Sequence, residues 1–150
     1  MYRTTVGLGI ALLTAALATA GPGWADPASC AVYHESVLDR QTFISEHSAA
    51  NDSTARAHDR DEFADGLVAY RDVYFKLAGL FRGMANRMTD PRVRSLADNV
   101  SSAASDYGDA VNVRLASDLE KPASASIHNQ LQSGFDRLES TWAALDGVCR

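Results

Sequence analysis

Two groups of residues in this chain have types and spacing that could do chemistry. Tyr70, Tyr74 and Tyr107 carry hydroxyls inside otherwise apolar helical patterns. A buried tyrosine needs a partner for its hydroxyl, so these three either reach a surface or line a polar-edged pocket between helices. His47, Met84 and Met88 complete the candidate lining of such a pocket. Met84 and Met88 stand four apart, and two thioethers on one helix face suit copper(I). Both also continue an apolar stripe, so the core is their expected place. The second group is Arg82, Arg87, Arg92 and Arg94, whose stretch contains one acid, Asp90. Arg92 and Arg94 follow Pro91 in the first turn of a helix, where the helix dipole disfavours cations. Their presence there points to a basic end that docks an anionic partner.

Other chemistry is poorly supplied. There is no Gly-x-Ser-x-Gly turn, no glycine-rich phosphate loop and no His-Glu-x-x-His helix. His34-Glu35 and Glu46-His47 are adjacent pairs, which diverge on a helix and cannot chelate from one face. His34, His47 and His128 are expected at the surface or boundary. His58 lies in the charged run His58-Asp59-Arg60-Asp61-Glu62, which reads as solvated chain. The expectation is a non-enzymatic protein with no catalytic and no metal-ligating residue.

Composition narrows the class further. The formal net charge is −5 over 150 residues. An acidic chain argues against nucleic acid, whose phosphates call for a basic surface. The prevalence of Arg over Lys, with much Ala and Asp, suggests a GC-rich bacterial genome. Arg3, the apolar run Val6–Ala18 and Gly21-Pro22-Gly23-Trp24-Ala25 form a leader ending in a small residue. Cleavage after Ala25 is expected, with Ala18-Thr19-Ala20 as a second site, leaving residues 26–150 as one domain of a secreted or envelope protein with no membrane span. The apolar run is shorter than the ~20 residues that a span needs. Cys30 and Cys149 stand near the two ends of that domain. In an oxidising compartment they read as a disulfide closing a loop of about 120 residues. A lipid on Cys30 is disfavoured, because Pro27-Ala28-Ser29 lacks the apolar residue that such a signal wants.

These residues are positioned by helices. From Phe63 to Met88 the apolar residues step by four and three alternately, through Leu67, Tyr70, Tyr74, Leu77, Phe81 and Met84. Such a helix is roughly 40 Å long. Asp61 is expected to cap it. Thr89-Asp90-Pro91 punctuates the chain before a third helix to about Leu119, with the stripe Val93, Leu96, Val100, Ala103, Tyr107, Val111, Leu115, Leu119. Its small residues Ser101, Ala103, Ala104 and Gly108 allow a neighbour to approach closely. A fourth helix from about Ser124 shows Ile127, Leu131, Phe135, Leu138, Trp142 and Leu145, and Gly147 stops it. The first helix is expected over Ala31–His47 on the weaker stripe Tyr33, Val37, Ile44, after an extended lead at 26–30. Residues 48–61 read as a loop. The sum is an all-α, up-down-up-down four-helix bundle, in which an even number of helices returns Cys149 to Cys30.

Asp26-Pro27-x-x-Cys30 followed by Phe43-Ile44-Ser45-Glu46-His47 resembles the exported haem carriers of actinobacteria. These are small helical secreted proteins with a disulfide and a Tyr and His four apart on a helix. The resemblance covers fewer than twenty residues, and Phe43 stands where those carriers have the tyrosine oxygen. It implies haem as the ligand of a carrier. The expected function is therefore an exported binding or interaction protein that docks an anionic partner through its basic end. The alternative is a carrier of haem or an apolar molecule between helices.

Overall fold

The computed structural model describes residues 25–150. The expected leader, residues 1–25, lies outside them except for Ala25. The described chain is helical throughout: α1 (Pro27–Glu35), α2 (Val37–Arg56), α3 (Arg60–Arg87), α4 (Pro91–Leu115) and α5 (Ala125–Val148). Each of α3, α4 and α5 packs along its predecessor. No helix among the described residues is long and apolar enough to cross a membrane.

The three long stripes pack as their spacing predicts. On α3, Tyr70, Tyr74, Leu77, Phe81 and Met84 are buried, with Met88 buried just past its end. On α4, Val93, Val100, Ala103, Tyr107 and Val111 are buried, as are Leu138 and Leu145 on α5. All join one core cluster. The small residues of α4 admit α3 closely. Ser101 Oγ donates to the Ala78 carbonyl at 2.8 Å, and a Cβ on Gly108 would lie 2.8 Å from the Phe75 ring. Cys30 and Cys149 form the disulfide, with their Cα atoms 5.1 Å apart.

The first leg differs from expectation. There are five helices among the described residues, not four, because the leg breaks at Ser36. The Ser36 hydroxyl donates to the Tyr33 carbonyl at 2.7 Å, and its backbone N–H turns back to the same oxygen. This local alternative competes with continuing the helix. The expected extended lead is itself helical. Asp26 caps α1 by accepting the Ala28 and Ser29 N–H groups, and Pro27 occupies the first helical position.

The expected loop at 48–61 is mostly helix as well. α2 runs to Arg56, and only 57–59 connect it to α3. Its inward positions are Phe43, His47, Ala50 and Thr54, a helical spacing in which only Phe43 is a large apolar side chain. Gly66 makes this contact possible: a Cβ there would meet Thr54 Oγ1 at 2.8 Å and the Thr54 backbone nitrogen at 2.9 Å. Val37 and Ile44, expected in the core, are about half exposed, and Leu38 is 71% exposed.

Smaller boundary shifts have similar local causes. Asp59, not Asp61, caps α3, accepting the Glu62 N–H at 2.9 Å. α4 stops at Leu115, not Leu119, because the Arg114 guanidinium turns back onto the chain that follows. It donates to Ser117 Oγ at 2.7 Å and to the Asp118 and Lys121 carbonyls at 3.2 and 2.9 Å. Gly147 does not end α5, which runs one residue further.

Candidate functional site

The fold gathers His47, Tyr70, Tyr74 and Tyr107 into one buried layer. Tyr70 and Tyr74 are one turn apart on α3, so their rings stack along the same face. α2 brings His47 over them, and α4 brings Tyr107 from the other side. The His47 ring centroid is 5.0 Å from Tyr70 and 5.7 Å from Tyr74. Tyr74 and Tyr107 are 4.4 Å apart, and Tyr70 and Tyr107 are 6.2 Å apart. Tyr74 Oη and His47 Nδ1 are hydrogen-bonded at 3.0 Å, both buried. Phe43 lies edge-on to Tyr74, and its ring also meets Trp142 of α5. Phe135 of α5 lies edge-on to Tyr107.

Burial sets the charge state of this layer. It pushes the His47 pKa below the ordinary imidazole value, so the ring is neutral at pH 7. Burial also raises the Tyr74 and Tyr107 phenols far above their usual range, and neighbouring phenols add to the effect. The layer is therefore uncharged, aromatic and edged with hydroxyls. That suits an apolar ligand with a few polar atoms, and it does not suit an ion.

The layer borders a surface groove of about 320 Å³ between α2 and α3. Phe43, Val73, Leu77 and Leu80 supply its apolar surface, and Asp39 and Glu46 stand among its polar residues. Phe43 belongs both to the groove and to the ring layer, so this half-buried side chain separates the two. α2 itself is fastened mainly to α3. No Cα of α2 comes within 8 Å of one in α5, and the Phe43–Trp142 ring contact, at 5.8 Å, bridges that gap.

Met84 and Met88 are not part of this layer. Both are buried in the core; Met84 lies about 15 Å further along α3 than Tyr74 at 1.5 Å per residue. Haem does not fit the ring layer as packed. His47 is only 5% exposed, its Nδ1 is taken by Tyr74, and Phe43 offers no oxygen. No group of three or more His, Cys, Asp or Glu among the described residues could hold a metal ion.

The arginine end is less basic than its sequence suggests. Arg82, Arg87, Arg92 and Arg94 are all exposed. However, Arg87 pairs with Glu35, and Arg94 donates twice to the Met88 carbonyl, at 3.0 and 2.6 Å, closing the end of α3. The disulfide also brings Asp26 and Asp146 to this end, Asp146 paired with Arg150. The expected single acid, Asp90, thus has three companions: Asp26, Glu35 and Asp146.

His47, a candidate for the pocket lining whose sequence also suits a surface or boundary position, is buried. Its signal is the run Phe43, His47, Ala50, Thr54, which steps by four, three and four. Comparison with known proteins finds no matching family model, no similar curated protein and no similar solved structure.

Proposed function

We propose that this chain is an exported, non-enzymatic binding protein of a bacterial envelope or extracellular space. Its ligand is an apolar small molecule, taken up in the groove between α2 and α3 against Phe43 and the ring layer behind it. One observation supports this above the others. Four polar-tipped rings, His47, Tyr70, Tyr74 and Tyr107, are concentrated in one buried layer where α2, fastened mainly to α3, meets α3 and α4. A bundle built only for stability has no need of them, because Leu or Val fills such a layer without hydroxyls to satisfy. Departures of this kind concentrate at functional sites. The groove volume is at the lower end of the range for small-molecule sites.

Titration with the neutral fluorescent probe N-phenyl-1-naphthylamine tests this. Saturable binding at one site per chain is expected. Thr42→Trp, at an exposed position on the groove, should weaken it by about tenfold, the equivalent of roughly 1.4 kcal/mol. Absence of saturable binding, or unchanged binding in Thr42→Trp, would count against the groove.

The second reading is docking of an anionic partner through Arg82, Arg87, Arg92 and Arg94. It is favoured by the exposure of all four at one end of the molecule, and opposed by the four acids found there. Replacing Arg82 and Arg92 by Gln spares the Glu35 pair and the Met88 cap. If this end docks, the double variant should weaken binding to anionic phospholipid vesicles, and added salt should reproduce the loss. Salt-insensitive or absent vesicle binding by the unaltered protein removes this reading.

A further inference from the structure

Asp26 and Asp90 cap two different helices, α1 and α4, and the two caps meet. The Asp26 backbone N–H donates to Asp90 Oδ2 at 3.1 Å. Asp90 Oδ1 accepts the Arg92 and Val93 N–H groups at 2.8 and 3.3 Å. The Asp26 carboxylate in turn accepts the Thr89 hydroxyl at 2.9 Å. Ser29 Oγ accepts the Thr89 and Asp90 N–H groups at 3.0 and 2.9 Å. Residues some sixty positions apart in the chain are thereby interlocked beside the disulfide. Both carboxyls are held below their usual range. For Asp90 the first cause is the Asp26 N–H, and for Asp26 it is the Thr89 hydroxyl. Both are therefore anionic at neutral pH.

The Asp26 nitrogen belongs to the Ala25–Asp26 peptide bond, the bond at which the leader is expected to be cut. We propose that this cleavage converts the Asp26 N–H into an α-ammonium that forms an ion pair with Asp90, so that removing the leader locks α1 onto the turn between α3 and α4. Cleavage by a leader peptidase adds one water across the amide. The Ala25 carbonyl departs as a carboxylate, and the Asp26 nitrogen gains protons to become –NH3+. A neutral donor 3.1 Å from a carboxylate is thus replaced by a charged one. The new cation sits at the start of α1, where the helix dipole opposes it, and Arg92 already acts on Asp90. The two carboxylates, Asp26 and Asp90, offset both effects.

The proposal rests on the export reading, so the N-terminus of exported protein is determined first, by intact mass and N-terminal sequencing. Asp26 is the expected first residue. A retained leader would sink the export reading as well as this proposal, and a different cleavage point would sink this proposal alone. Thermal unfolding of the exported protein is then followed from pH 7 to 9.5. A free α-amino group in an unfolded chain titrates near pH 8. Pairing with Asp90 keeps it charged to higher pH in the folded state. Its stabilisation is therefore complete below about pH 8 and is lost as pH rises through the folded value. Both cysteines are bridged; the buried tyrosines, raised in the fold, add a loss as pH nears 10, but Asp90→Asn shares it, so the difference between the two proteins belongs to the amine. A fall in Tm of a few degrees across the window is expected. Asp90→Asn removes the charge but still caps α4, and it should abolish most of that fall. NMR titration of the 13C-dimethylated α-amine gives a second readout, with a higher midpoint in the unaltered protein than in Asp90→Asn. Equal midpoints, or an equal fall in Tm with Asn at position 90, would overturn the proposal.

Discussion

The protein with Cys30 and Cys149 both replaced by serine is expected to be about 2–5 kcal/mol less stable than the bridged form. The bridge spans 119 positions, nearly the whole described chain, so it restrains the unfolded ensemble about as much as one cross-link can. It also has a local task. α1 is short, nine residues, and leans only lightly on α2, α3 and α4. Tyr33 anchors it to α5 through the Trp142 indole N–H, donated at 3.0 Å, and through its own hydroxyl, donated to Asp146 at 3.2 Å. Without the covalent tie, those bonds must hold the first helix against the last. Urea unfolding of the two proteins measures the loss. An unchanged midpoint would mean that the bridge does not restrain the fold.

The second large effect is expected in the core. Leu77 on α3 and Leu138 on α5 are 1% and 3% exposed. Truncation to alanine removes buried methyl groups and leaves a cavity, so each variant should lose about 2–5 kcal/mol. Leu38→Ala is the control. That side chain is largely in water, and the change should stay within about 0.5 kcal/mol. Denaturant midpoints at constant m-value decide the matter. Losses below about 1 kcal/mol at Leu77 or Leu138 would contradict the packing described.

The contrast between Leu77 and Leu38 also explains what was legible in the sequence. α3, α4 and α5 repeat large apolar residues with a helical period; α3 and α4 bury most of the stripe so marked, and α5 buries Leu138 and Leu145 with Leu131, Phe135 and Trp142 packed at the edge. α2 does not advertise itself that way. Its inward face is Phe43, His47, Ala50 and Thr54, while Val37, Leu38 and Ile44 point the apolar signal towards solvent. A close approach between Thr54 and Gly66 holds that helix, and small residues give no hydrophobic signal. The helix therefore reads as a short stripe followed by a polar loop.

The ring layer was legible in part. Tyr70, Tyr74 and Tyr107 stand out because a hydroxyl inside an apolar stripe calls for a partner. Which partner it finds depends on α2, and its register is set by contacts that the sequence hides. The charge balance of the arginine end was hidden for a related reason. Its acids Asp26, Glu35 and Asp146 are remote in sequence; the fold pairs Glu35 with Arg87, Asp146 with Arg150, and Asp26 with the Thr89–Asp90 turn. Met84 and Met88 followed the simpler rule, a continued stripe, and lie in the core.

Native mass spectrometry of the protein recovered from the cells that produce it tests the carrier reading most directly. The account predicts a fraction of molecules heavier than the polypeptide by one small molecule, which organic solvent extracts and N-phenyl-1-naphthylamine displaces. Protein that carries no added mass, and also fails to bind the probe, would contradict it.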